Sequence, residues 1–149
     1  MNIQKYDLVV VGATSGGVAC AVRGAREGLR VLLTNTRDHV GGVLTSGLSG
    51  LDTQYTGRRS ELFSEFCEGI LDHYRSEYGE RSEQFQACLR RAPTQFWIDE
   101  KKTEVRDDER PVEDASGDYF GRLHFEPHVA ERVLNDLLHR EDRITLLSR

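Results

Sequence analysis

No apolar run in the 149-residue sequence approaches the ~20 residues that a helix needs to cross a bilayer. The opening MNIQKYD has one basic residue and no apolar stretch, so neither a signal peptide nor a membrane anchor is expected there. The three cysteines, Cys20, Cys67 and Cys88, form no C-x-x-C pair, and with five scattered histidines they offer no metal-ligand spacing. Free thiols in a reducing, cytoplasmic compartment follow, with Cys20 read as a small buried thiol in the first helix. Positive charge is not in excess either: 25 acidic against 20 basic residues leave a net charge of -5. That balance argues against general affinity for nucleic acid or an anionic membrane. Repeats and a second domain are likewise absent, which leaves one globular domain spanning residues 1–149.

What is present is patterned. Leu8 to Val11 is a continuous aliphatic run closed by Gly12, as expected of a strand buried on both faces of a parallel sheet. From Ser15 the period changes, and Val18, Ala21, Val22, Ala25 and Leu29 fall on one helical face, with Gly28 as the stop. Residues 30–34, RVLLT, read as a second strand, which completes a βαβ unit. Residues 40–57 are rich in Gly, Ser and Thr and read as an ordered loop. Arg59 to Tyr78 reads as an amphipathic helix with Leu62, Phe63, Phe66, Ile70 and Tyr74 inward. A short helix ending before Pro93 fits within 80–98.

Residues 99–118 hold nine acidic and four basic residues and read as a solvated, mobile insertion. Order returns with Pro127 at the start of a helix whose inward stripe is Val129, Val133, Leu134, Leu137 and Leu138. After a turn at Arg140–Asp142, Ile144 to Leu147 reads as a third strand. Three parallel strands leave open edges, so the sequence reads as the front part of something longer, with self-association through a sheet edge as one outlet.

The turn after the first strand carries the chemistry. Gly12 and Gly17 stand at the first and third positions of a G-x-G-x-x-G turn, while Thr14 replaces the second glycine and Gly16 adds freedom beside the third. A helix N-terminus there offers N–H groups and a positive dipole end to a phosphate, and Thr14 and Ser15 add hydroxyls. Asn35 stands where a carboxylate would accept both ribose hydroxyls, and it can accept one hydrogen bond and donate one. Arg37 could meet a 2′-phosphate and Asp38 could replace the carboxylate, so turn and flanks leave FAD and NADP both open.

Three blocks in order, GATSGGVACAVRGAREGLRVLL, RDHVGGVLTSGLSGLD and LHFEPHVAERVLNDLL, resemble the FAD-dependent oxidoreductase family. The likeness is to its glutathione-reductase-like Rossmann type, and within that to the xanthan-lyase-like flavoprotein group. The resemblance implies an α/β Rossmann-like FAD/NAD(P)-binding fold, three-layered around a parallel sheet and incomplete at the C-terminus. It implies that Gly12, Ala13, Thr14, Ser15, Gly16 and Gly17 cradle the FAD pyrophosphate. Asn35 takes the ribose position, where the family commonly has Glu. Gly41 and Gly42 lie against the cofactor, and Thr45, Ser46 and Gly47 run beside the flavin, where hydroxyls can bond the ring edge. The helix from Glu126 and the strand Ile144–Leu147 lead to the adenine side. The whole enzyme would move a hydride from a small-molecule substrate to the flavin, and this portion is expected to be inactive alone. No catalytic residue and no metal ligand is assigned, and each histidine reads as a surface or packing residue. The rivals are an NADP-binding module of a reductase and a truncated, non-catalytic interaction piece.

Overall fold

A computed structural model describes residues 4–48, 50–51, 60–89 and 123–148. The charged stretch 99–118 and the region around Pro93 lie outside the described residues. Strand β1 (Leu8–Val11) leads into helix α1 (Ser15–Arg26), and strand β2 (Val31–Thr34) follows. A 3-10 turn at Gly42–Thr45 precedes helices α2 (Glu61–Tyr78) and α3 (Glu83–Leu89). Helix α4 (Pro127–His139) and strand β3 (Ile144–Leu147) complete the described elements. All three strands are parallel, in the order β1-β2-β3, with Leu8 beside Val31 and Val31 beside Ile144. This is the expected α/β fold.

Helix α1 ends as its sequence predicts. Gly28 adopts φ 88°, its N–H donates to Ala25 O, and Leu29 N–H donates back to Gly24 O at 3.1 Å. Paired bonds of this kind satisfy carbonyls that the helix end would leave bare. Val18, Ala21, Val22 and Ala25 form the buried stripe, but Leu29 lies past the helix end and is 38% exposed. Cys20 is exposed rather than buried, a correction that follows from the helical wheel: it lies about 100° or more from every residue of that stripe. Helix α2 starts two residues later than expected, because Ser60 caps it by accepting from Phe63 N–H.

The expectation of strands buried on both faces is also corrected. Leu8, Val10, Val31 and Leu33 turn toward the helices, whereas Val9 is 56% and Val11 85% exposed on the other face. Among the described residues the helices cover one face only, so these residues build the sheet and one helical layer of the expected three. Glycines bring that layer down onto its neighbours. A Cβ on Gly24 would stand 2.8 Å from Leu8 Cδ2, and one on Gly69 would stand 2.6 Å from Val133 Cγ1. The Gly69 contact lets α2 press on α4, where Phe66 also meets Phe125 edge-on. The Tyr74 hydroxyl accepts Glu126 N–H at 3.0 Å and fixes the entry of α4.

One cation joins three elements. Arg26, at the last turn of α1, forks onto both oxygens of Glu65 on α2 at 2.6 and 2.8 Å, and its Nε reaches Glu141 at 2.7 Å. These bonds hold the guanidinium's pKa above its usual value and the Glu65 carboxyl's below its usual one. Replacing Arg26 by Ala would leave two half-buried carboxylates facing each other, and a loss of about 2 kcal/mol in urea unfolding is expected.

Candidate nucleotide-binding site

The C-terminal ends of β1 and β2 converge on the glycine turn. Gly12 leaves β1 at φ 97°, a left-handed conformation that a side chain would strain, although nothing stands within 4 Å of where its Cβ would be. Gly17 is fixed by space instead: a Cβ there would lie 1.9 Å from Gly12 O. The first glycine therefore serves the bend, and the third lets α1 pass close to the strand end. Thr14, at the middle-glycine position, caps α1 by accepting Gly17 N–H on Oγ1 at 3.2 Å. Its own hydroxyl proton is left to donate outward, since Thr14 is exposed.

The second glycine pair locks onto this turn. Gly41 N–H donates to Ala13 O at 2.7 Å and Ser15 N–H donates to Gly41 O at 3.2 Å, a parallel bridge between residues 27 apart in sequence. Gly41 has φ 107°, and a Cβ there would collide with Thr45 and with Leu134 of α4. Gly42, at φ 60°, lies against Thr14. Asn35, one residue past β2, reaches both segments. Its Oδ1 accepts Ala13 N–H at 3.3 Å, and its Nδ2 donates to the carbonyls of Arg37 and His39 at 2.7 and 2.8 Å. The expected donation from Asn35 to a ribose hydroxyl is thus corrected, because both amide protons are already taken inside the protein.

The hydroxyls divide. Thr45 was expected to bond a ring edge, but it is 3% exposed and its Oγ1 donates to Val40 O at 2.7 Å, with His39 Nε2 2.8 Å away. Its role is to close the 3-10 turn. Ser46 is exposed and donates to Gly42 O at 2.5 Å, and Gly47 turns the chain at φ 117° with open space around it. His39 and Glu131 are the residues that sequence reasoning missed. Glu131 of α4 accepts Val40 N–H at 2.9 Å and faces His39 Nδ1 at 3.1 Å, which ties the loop to α4. Nothing in the spacing of either residue signals the other.

The mouth of α1 suits a phosphate. Of the first-turn amides, Ser15 and Gly17 have acceptors in the protein, while Gly16 N–H meets none among the described residues. No acidic residue stands in that turn. A Cβ on Gly16 would meet nothing closer than Thr14 Oγ1 at 3.9 Å, so the ground in front of the helix is open. A positive dipole end, a free amide and two outward hydroxyls fit a pyrophosphate at this position.

The sequence over residues 7–149 matches the family described as FAD dependent oxidoreductase. The chain belongs to that family. FAD is accordingly its cofactor, and the glycine turn with its βαβ frame is the part of the family's fold described above. No sequence among the curated proteins matches the chain. Similar solved structures include THI4 of Thermovibrio ammonificans, at 15% identity and a TM-score of 0.47, covering 96% of this chain and 38% of that one. L-amino acid deaminase from Proteus vulgaris is 18% identical with a TM-score of 0.46, covering 99% and 40%. Sdh1 of Mycobacterium smegmatis is 18% identical with a TM-score of 0.45, covering 99% and 28%. The chain thus spans less than half the length of these structures.

A separate cavity of about 330 Å³, between α2, α3 and the entry of α4, is lined by Tyr74, Cys88, His124 and Phe125 among others and by no residue of the glycine turn or of the loop after β2. Burial pushes the Cys88 thiol there up to about 11, which keeps it protonated and poorly nucleophilic at neutral pH. In the glycine turn the two neighbouring glycines should respond in opposite directions. Gly17→Ala is expected to cost about 2 kcal/mol or more through its clash with the Gly12 carbonyl. Gly16→Ala, at an open helical position, should gain about 0.5–1 kcal/mol. Urea unfolding of the two variants against the wild type measures both.

Proposed function

We propose that this chain supplies the FAD-binding portion of a flavin-dependent oxidoreductase that takes a hydride from a small-molecule substrate. The observation that carries the residue assignment is the joining of the glycine turn to Gly41–Gly42 in front of an open helix N-terminus. In this reading Gly16 N–H, with the hydroxyls of Thr14 and Ser15, holds the pyrophosphate. Gly12 and Gly17 keep backbone and helix close enough for that contact, and Ala13 shapes the turn through both of its backbone bonds. Gly41, Gly42, Ser46 and Gly47 give the flavin a backbone surface without bulky side chains, and Thr45 supports that surface from inside. Bound FAD supplies the hydride-accepting chemistry; these residues orient it. A cytoplasmic location fits the free thiols Cys20 and Cys88. Pairing of the open β1 edge with another chain belongs to the same proposal.

The test is a titration of the purified chain with FAD, followed by flavin fluorescence, with NADP as competitor. Saturable FAD binding that NADP does not displace is expected. Gly16→Ala should weaken that binding by about tenfold while leaving the fold intact, because its methyl enters the space where a phosphate would stand. Binding of NADP alone would replace this reading with that of an NADP module.

A further inference from the structure

Residue 35 follows the second strand, where a dinucleotide-binding unit ordinarily offers a carboxylate to the ribose diol. In this chain the side chain at that position spends both of its amide protons inside the protein. Asn35 Oδ1 accepts Ala13 N–H, and its two amide protons go to the carbonyl oxygens of Arg37 and His39. Its backbone N–H donates to Leu147 O at 2.8 Å, so the residue also stands on β3. A carboxamide is the one side chain of this size that can accept from an N–H and donate to two carbonyls together. A carboxylate would accept from Ala13 but would face two carbonyl oxygens with no proton between them.

We propose that Asn35 is a positioning residue that clamps the glycine turn to the 35–41 loop, replacing a ribose-binding carboxylate rather than imitating one. The inference rests on the FAD-binding reading above. It assigns to Asn35 the setting of Ala13 N–H, and through Ala13 O and Gly41 the spacing between the phosphate turn and the second glycine pair. It follows that this position can offer the ribose of the adenosine half no donor and at most the second lone pair of Oδ1, in place of the four acceptor sites of a carboxylate.

Asn35→Asp separates the two roles. A ribose ligand would be improved by a carboxylate, so FAD would bind more tightly at neutral pH, the apoprotein's Tm would not change, and acidification would weaken the gain. The clamp requires the reverse. Asn35→Asp should lower the apoprotein's Tm by about 5 °C or more and weaken FAD binding by about tenfold or more at neutral pH. Both losses should shrink as pH falls, because a protonated carboxyl can again donate to one carbonyl. Facing carbonyls raise the pKa of the introduced group, so recovery begins above its ordinary value of about 3.9. The other titratable or charged groups around it are Arg37, Asp38 and His39 of the loop and Glu131 of α4. The comparison is therefore the difference between variant and wild type at each pH.

Asn35→Ala guards against a variant that does not fold at neutral pH. The clamp predicts a lowered apoprotein Tm for it, whereas a ribose ligand predicts an unchanged one. Tighter FAD binding by Asn35→Asp, or an unchanged Tm in both variants, would overturn the proposal. Absence of FAD binding by the wild-type chain would overturn the flavin reading and leave the Tm values and their pH profile to decide the clamp.

Discussion

The site depends on one short pairing, in which Gly41 bonds the glycine turn through both its N–H and its C=O. Pairing between β1 and β2 ends at Val11 and Thr34, and beyond that point no β1–β2 ladder holds the two segments together. The Gly41 bridge adds one isolated parallel pair, Thr14 with Gly41, beyond the end of the sheet. Gly41 can do so only because it bends at φ 107° and presents no Cβ to Thr45 or Leu134. Thr45 then closes the 3-10 turn from beneath, and Leu134 brings α4 against it. A backbone geometry open only to glycine is thus the junction of sheet, helix N-terminus and second helix.

The elements of the fold were largely legible because their signals are local. A shift from a continuous aliphatic run to a 3.6-residue period marks β1 and α1, and Gly28 marks the stop. The stripes of α1 and α4 could be read nearly to the residue: Leu29 lies outside the stripe of α1, and the buried Ala130 of α4 was not picked out. The one-sided burial of the sheet was not legible, since Val9 and Val11 have the same character as Val10 and only their surroundings differ. The glycines of the site could be read because each answers a backbone demand. The polar residues could not. Asn35 draws its partners from 22 residues back and from two and four residues on, and Thr45 turns inward toward Val40. His39 meets Glu131, 92 residues away, and no spacing rule connects them.

Charge in this protein works mainly at the ends of the elements. At the end of the sheet opposite the glycine turn, Asp7 grips Arg30 through both oxygens and also accepts Arg30 N–H. The pair holds the Asp7 carboxyl well below the usual carboxylate range. Its contribution to stability is present above the ordinary pKa of about 3.9 and is lost as pH falls through the depressed folded value. Arg26 does the corresponding work between α1, α2 and the turn before β3. Both cations stand at the far ends of the sheet and of α1 from the glycine turn.

The central place of β2 has a consequence for how the molecule opens. Val31 and Leu33 are fully buried, and among the described residues β2 alone has a strand on each side. Among the described strands its amides are therefore the last that solvent hydrogen reaches, whereas those of β1, which the described residues pair on one edge and cover on one face, exchange sooner. Asn35 is attached directly to the end of that slowest strand and holds Ala13 at the end of the faster one. Partial opening of the sheet would thus release the glycine turn first, while the 35–41 loop keeps its shape and can receive the turn again on closing.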